Sequence, residues 1–412
     1  MKRDLYKGWT LPAADIDGMP PRIYGDAESA REWLARLNLP DAARMSDGVR
    51  VTPERWEEHR AALLDTVRAH GYGYSPAPAP VTGKVVHSSA DALYAGVVKT
   101  YAGKAISERI HLTLETPRGP FTFPLQLVYP IYLKRPPVLL HIAFRPSLRT
   151  LPDDETEIET CYAPIEEIID HGFAYAQFCY NDVAGDLPRG EGAFLGNGLA
   201  GMYHDSDMRE PDAWGKIGIW AYAASRVLDY LRTREELDGE CVSVAGHSRL
   251  GKTALWCAAQ DERFFCACVN GSGWGGAGLM RMNERRIDAL IENGSIDWWS
   301  ERFRDYAGHI TDTPFDGHTM LACVAPRYVS LADADGDFPL YQVGDYLSAT
   351  AAGAVCEALG LSGFIAPDML PHPYAVYPEG HIGYALRPGS HFFSRWDWNA
   401  HMAFIKQAYL RS

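Results

Sequence analysis

The chain has 412 residues, of which 47% are hydrophobic and 22% charged, with a formal net charge of −14 from 39 basic and 53 acidic side chains. That acidic balance works against nucleic-acid binding and gives no electrostatic pull toward anionic membranes, so an anionic ligand would need a local basic pocket. No apolar run approaches the ~20 residues of a membrane span, and the segment Met1-Lys2-Arg3-Asp4-Leu5-Tyr6 has no apolar core of the kind that directs secretion. The expectation is a globular cytoplasmic protein with neither a nucleic-acid nor a membrane partner; composition sets no oligomeric state.

In chain order, residues 1 to about 50 are polar, carry prolines and show no sustained period, which suits a segment wrapping a surface. Thr52 offers an N-cap with Pro53 at the first helical position, and Trp56, Leu63, Leu64 and Val67 give one apolar face ending at Gly71. Ser75-Pro76-Ala77-Pro78-Ala79-Pro80 reads as an extended linker. Residues 1–83 are therefore set apart as an extension packed on a catalytic domain of residues 84–412.

Alternating patterns at Ile110 to Leu114 and Thr122 to Tyr129 predict antiparallel strands, and the unbroken apolar run Val138 to Phe144 predicts a buried parallel one. Helix and strand then alternate. Ile165 to Ile169 precede a strand from Ala174 to Tyr180, and a helix from about Ile217 to Leu231 precedes a strand at Cys241 to Ala245. Phe265 to Val269, Tyr328 to Leu331 and Tyr374 to Tyr377 are further strands. This is the order of an α/β three-layer sandwich, with a mostly parallel central sheet, antiparallel N-terminal strands and an irregular or helical N-terminal extension.

The stretch from roughly Gly271 to Met320 shows no strand pattern and carries Trp274, Trp298 and Trp299. It leaves the carboxyl ends of strands, where open α/β sheets bind ligands, and so is expected at the rim of a site. Eight cysteines lie mostly inside apolar runs and read as buried free thiols. Cys266 and Cys268 would face one side of a strand, but no second pair or suitably placed histidine completes a metal site. Neither a metal nor a cofactor is expected.

The chemistry concentrates at Gly246-His247-Ser248-Arg249-Leu250-Gly251-Lys252, which runs from an apolar strand through a sharp turn into a helix. A strained turn of this kind lifts a serine hydroxyl out of the sheet and aims it at the first N–H groups of the helix, which can hold an oxyanion. The second glycine comes three residues after the serine, not two, so the generic G-x-S-x-G elbow does not match. The narrower pattern G-x-S-R-x-G-K resembles the bacterial branch of the glucuronoyl esterases, α/β-hydrolase carbohydrate esterases that cleave esters between lignin alcohols and glucuronate side chains of xylan. His381-Ile382-Gly383-Tyr384, Arg387, Gly389 and His391, followed by Asp397-Trp398, are similar to the family's segment around its histidine.

A serine hydroxyl needs a base and a group that orients the base. His391 is the base candidate, in a loop just before a helix capped by Ser394 with Asp397 three residues on; His381 is its competitor, while His372 and His401 read as structural. For the acid, the resemblance to fungal members implies a glutamate just before Ser-Gly, where this chain has Gly271. Resemblance to bacterial members implies an aspartate after a later strand, which matches Asp337, with Asp335 in reserve; a solvated acidic turn is the plain alternative. The backbone N–H of Arg249 is the expected oxyanion donor, with its guanidinium as an aid.

The resemblance further implies sugar contacts for Lys252, Glu284 and Trp298. The chain departs from the family at Pro339, where a tryptophan is usual, and at Phe144-Arg145-Pro146-Ser147, which stands for a loop rich in glycine and asparagine. The expectation is a serine carboxylic-ester hydrolase acting on a uronic acid ester. Two alternatives stay open: an esterase for acetyl or other small acyl groups on intracellular oligosaccharides, and a catalytically silent carbohydrate-binding relative that lost its acid at Gly271.

Overall fold

A computed structural model describes residues 29–90, 100–158, 162–186, 198–204, 210–292, 295–337 and 341–411, except for the side chains of residues 284–286, 292, 295 and 296. Ten strands form one sheet: β1 (Val81–Ser88), β2 (Ala105–Thr116), β3 (Gly119–Pro130), β4 (Pro137–Ala143), β5 (Ala174–Cys179), β6 (Asp238–His247), β7 (Cys266–Asn270), β8 (Tyr328–Ala334), β9 (Val376–Tyr377) and β10 (Ile382–Arg387). Their order is β1-β2-β3-β5-β4-β6-β7-β8-β10-β9. β1, β2 and β3 run antiparallel and join the sheet through an antiparallel β3–β5 pair; the pairs from β5 to β10 are parallel, and β9 returns antiparallel on the edge.

The unbroken apolar sequence of the central strands follows from burial on both faces. On β4, Val138, Leu140 and Ile142 face the helices Lys216–Leu231, Arg249–Gln260 and Tyr341–Ala358. Leu139 points the other way, to Ile165, Ile168 and Ile169 and to Trp398, Met402 and Ile405 of the helix Arg395–Tyr409. Period-two alternation thus feeds two cores from one strand. Each such fully buried aliphatic side chain contributes about 1.5–3 kcal/mol of transfer free energy. The capping box expected at Ser394 and Asp397 forms and starts the last helix.

The amino-terminal elements share these cores. Leu64, Val67 and Tyr72 belong to the larger one, and Ala42, Ala43, Met45, Val51 and Trp56 pack with Ala322, Ala325, Val355 and Cys356. Strand β1 begins at Val81, before the boundary expected at residue 84.

Three sequence expectations change. Thr52 makes no side-chain cap bond, and the helix Trp56–Val67 continues through a wider turn, Arg68–Tyr72, to Gly73, where φ is 82°. Gly71 lies inside that turn, where a Cβ would meet the Phe315 ring. Tyr374 to Tyr377 is not a parallel strand: Pro371 and Pro373 carry no N–H for a ladder, Tyr374 has φ 69°, and only Val376 and Tyr377 pair, at the edge. The last parallel strand is instead β10, which pairs with β8 along its whole length.

Among the described residues no strand lies between β7 and β8, as expected for the rim, and seven cysteines are buried and free. No described helix is long and apolar enough to cross a membrane.

Candidate active site

Strand β6 delivers Ser248 at φ 57° and ψ −125°, and the helix Arg249–Gln260 begins at the next residue. A left-handed backbone costs a non-glycine residue roughly 1–2 kcal/mol, so the surroundings must hold it. They do so through a bond from the Ser248 N–H to the Asn270 carbonyl, 2.9 Å, and through two glycines. A Cβ on Gly246 would overlap the Leu250 carbonyl, and one on Gly251 would lie 2.9 Å from the Asn270 carbonyl oxygen. The glycine three residues after the serine therefore answers to close approach of β7, while Leu250 is free to carry a side chain into the core.

His391 Nδ1 and Asp337 Oδ2 are 2.7 Å apart. Asp337 sits in the turn after β8, its N–H bonded to the Ala334 carbonyl, and its side chain is almost fully buried. The His391 ring meets that of His247, the residue before the serine, at a tilt of 42°, with centroids 4.3 Å apart. Burial and the neighbouring His391 push the imidazole of His247 well down, which keeps it neutral, and its Nδ1 is 2.6 Å from Asn270 Oδ1. His391 thus contacts an uncharged ring next to Ser248.

Asp335 does different work. Its Oδ1 accepts from the Gly389 N–H at 3.0 Å, and its own N–H bonds the Arg387 carbonyl, so it holds the histidine's loop. Arg387 anchors the same loop by bonding both oxygens of Asp397 and the carbonyls of Ser390 and Phe392. His381 stacks on Tyr328, with its Nδ1 against the Ser362 carbonyl. His401 is buried against Ser330.

Around the serine, the Arg249 guanidinium lies 4.8 Å from the centroid of Trp298 and 5.8 Å from that of Phe144. Its Nη1 donates to Asp186 Oδ2. Trp298, expected as a sugar contact, turns its indole N–H to both Asp186 oxygens, at 3.1 and 3.3 Å. Its ring also carries the Arg249 guanidinium.

Lys252 is buried one turn below Ser248 and donates to the Ser272 carbonyl. Desolvation pushes its ammonium down to about 8, opposed by the nearby carboxylate of Asp345. Burial in turn pushes Asp345 up to about 7. The side chain of Glu284, at the start of the helix Glu284–Glu292, lies outside the described residues, as does Pro339.

Sequence reasoning missed Asp186, Lys216, Asn270 and Asp345. A lysine opening a helix, against the dipole, was the available signal for Lys216; nothing local marks the other three. The described residues hold no group of histidine, cysteine and acidic side chains fit for a metal.

A base bonded to a buried acid and laid beside a strained serine, at the carboxyl ends of a mostly parallel sheet, belongs to the serine carboxylic-ester hydrolases of the α/β-hydrolase fold. Comparison with known proteins narrows the class. A family model described as "Glucuronyl esterase, fungi" matches residues 156–360. "Carbohydrate esterase MZ0003" from an unknown prokaryotic organism is 28% identical over 429 residues, covering 96% of this chain and 94% of that protein. The 4-O-methyl-glucuronoyl methylesterase of Schizophyllum commune is 26% identical, covering 85% of this chain and 78% of its own. Among solved structures, a glucuronoyl esterase from Solibacter usitatus superposes with a TM-score of 0.78 at 27% identity, covering 90% of this chain and 98% of that one. The chain belongs to the glucuronoyl esterase family of carbohydrate esterases.

Proposed function

We propose that this chain hydrolyses a uronic acid ester of a carbohydrate, with Ser248 as nucleophile, His391 as general base and Asp337 as the orienting acid. Ser248 Oγ attacks the ester carbonyl while His391 takes its proton and then returns it to the departing alcohol. Asp337 accepts from Nδ1–H, which leaves Nε2 as the basic nitrogen and stabilises the imidazolium. The negative oxygen of the tetrahedral intermediate falls to the backbone N–H of Arg249, which the helix start leaves without an intrahelical acceptor, and to its guanidinium. An acyl-enzyme forms on the uronic acid side, and water resolves it.

The observation that carries this reading is the 2.7 Å contact between His391 Nδ1 and Asp337 Oδ2. The glycine at 271 does not leave the histidine without an acid. The uronate side of the proposal is supported by the relatives' names and by the cations Arg249, Lys216 and Lys252 near the elbow of an otherwise acidic chain.

A fluorophosphonate is expected to label the parent at Ser248 and to leave Ser248→Ala unlabelled; no labelling of the parent at neutral pH would rule out the hydrolase. Turnover of methyl glucuronate over acetylated xylose oligomers is the expected preference, and the reverse order would remove the uronate from the proposal.

A further inference from the structure

The carboxylate of Asp186, in the loop beyond β5, is only 7% exposed and yet touches no part of the proposed triad. It gathers three donors from three separate elements. Arg249 Nη1, from the residue after the serine, bonds its Oδ2. Lys216 Nζ, from the first residue of the helix Lys216–Leu231, bonds its Oδ1 at 3.1 Å. The Trp298 indole N–H reaches both oxygens, and the Trp298 ring carries the Arg249 guanidinium on its face. Asp186 is itself placed from within its loop, where its N–H bonds Asn181 Oδ1 at 3.2 Å.

Two things are unusual here. Both cations sit at helix N-termini, where the dipole disfavours positive charge, and Lys216 is buried at 2% exposure. A buried ammonium needs an anion, so one carboxylate serving Lys216 would be sufficient as packing. The same carboxylate, however, also takes Arg249 and aims its planar fork while the indole stacks it. That fixes the positive charge of Arg249 at the residue next to Ser248. A neutral ester gains little from that charge on binding, whereas the tetrahedral oxyanion gains from it fully.

We infer that Asp186 is a positioning residue for the ester hydrolysis, which orients the Arg249 guanidinium toward the developing oxyanion with Trp298 as its backing and Lys216 as the second cation of the cluster. The inference rests on the assignment of Ser248 as nucleophile and Arg249 as oxyanion donor. Asp186 acts only through Arg249, so its contribution appears in the transition state and vanishes when the guanidinium is gone.

The test is a double-mutant cycle on methyl glucuronate. Asp186→Asn lowers kcat by about 10-fold or more with KM changed less than about 2-fold, as expected for an interaction made only in the transition state. In an Arg249→Met background the same substitution has no further effect on kcat, because the group it orients is absent. Trp298→Phe keeps a ring under Arg249 and removes only the N–H donor to Asp186, so it covers the case in which Asp186→Asn does not fold; it lowers kcat less, and that loss too disappears with Arg249→Met.

Additive losses in either cycle, or a loss confined to KM or to thermal stability, would overturn the positioning role. Failure of the functional reading is separately visible, since it would show as an unlabelled and inactive parent. A parent that is labelled and active, with additive cycles, sinks only the role of Asp186.

Discussion

Asp337 Oδ2 stands 3.3 Å from the point that a Cβ on Gly271 would occupy. The two places for a triad acid, one after β7 and one after β8, converge beside His391, and two carboxylates so close could not both ionise without cost. A glycine at 271 avoids that cost while Asp337 meets His391. Gly271 has φ 51°, so a side chain there is tolerable at roughly 1–2 kcal/mol. Asp337→Asn is expected to lower kcat by about 10⁴-fold. Gly271→Glu in an Asp337→Ala background recovers about 10-fold or more of the loss by supplying a second acid to the same histidine. No recovery in a folded double variant would show that the two positions are not equivalent.

Asp335 is predicted to matter through the loop it holds. Asp335→Ala removes the acceptor for the Gly389 N–H, a bond whose net worth is about 1–3 kcal/mol, and lowers kcat by about 10-fold, far less than Asp337→Asn. Steady-state rates for the two variants decide the matter; a larger loss from Asp335→Ala makes Asp335 the acid.

The elbow glycines should differ in severity. Gly246→Ala drives a methyl group into the Leu250 carbonyl, and the helix start must move; Gly251→Ala meets the Asn270 oxygen at 2.9 Å and needs a smaller shift. Gly246→Ala is expected to lose about 3 kcal/mol or more and Gly251→Ala about 1–3 kcal/mol, in the range of overpacked sites. Urea unfolding measures both, and equal losses would mean that the turn relaxes freely.

Two buried groups should tilt stability against pH in opposite directions. Burial pushes His401 down to about 3, so between that value and its unfolded pKa the unfolded chain binds the extra proton. Stability from this group is complete above about pH 6.5 and is lost on acidification, by up to about 1.4 kcal/mol per pH unit. Asp345 is pushed up to about 7, so its folded form keeps a proton that the unfolded chain has lost, and stability falls as pH rises from about 4 to 7. His401→Gln should therefore cost less at about pH 5 than at about pH 8, and Asp345→Asn less at about pH 8 than at about pH 5. Urea midpoints at both values check the signs; parallel shifts would remove the assignment of these protonation states.

The strand β10 shows where pattern reading stops. Ile382–Arg387 is buried along its length, but Gly383 and the terminal Arg387 shorten the apolar run of the kind that identified β4 and β8. A Cβ at Gly383 would meet the Phe404 ring, so the missing side chain is a packing requirement from a helix some twenty residues later in the chain. Tyr374 to Tyr377 looked more like a strand because its composition is right, while its prolines and backbone leave it only an edge pair.

The sequence by itself determined the turn at Ser248 and the order of the layers, and it singled out His391. Gly246 answers to the Leu250 carbonyl within the same turn, and the alternation of strands and helices is a local periodicity that burial imposes. Only the tertiary structure decided which carboxylate meets His391. Asp335 and Asp337 lie two residues apart in one acidic turn, and the pairing of that turn with the Arg387–Gly389 loop sends the first to a backbone N–H and the second to the imidazole. Only the tertiary structure, likewise, brought Asp186 to Arg249 across 63 positions, since a contact between the ends of two strands depends on where the sheet places them and leaves no trace in either segment alone.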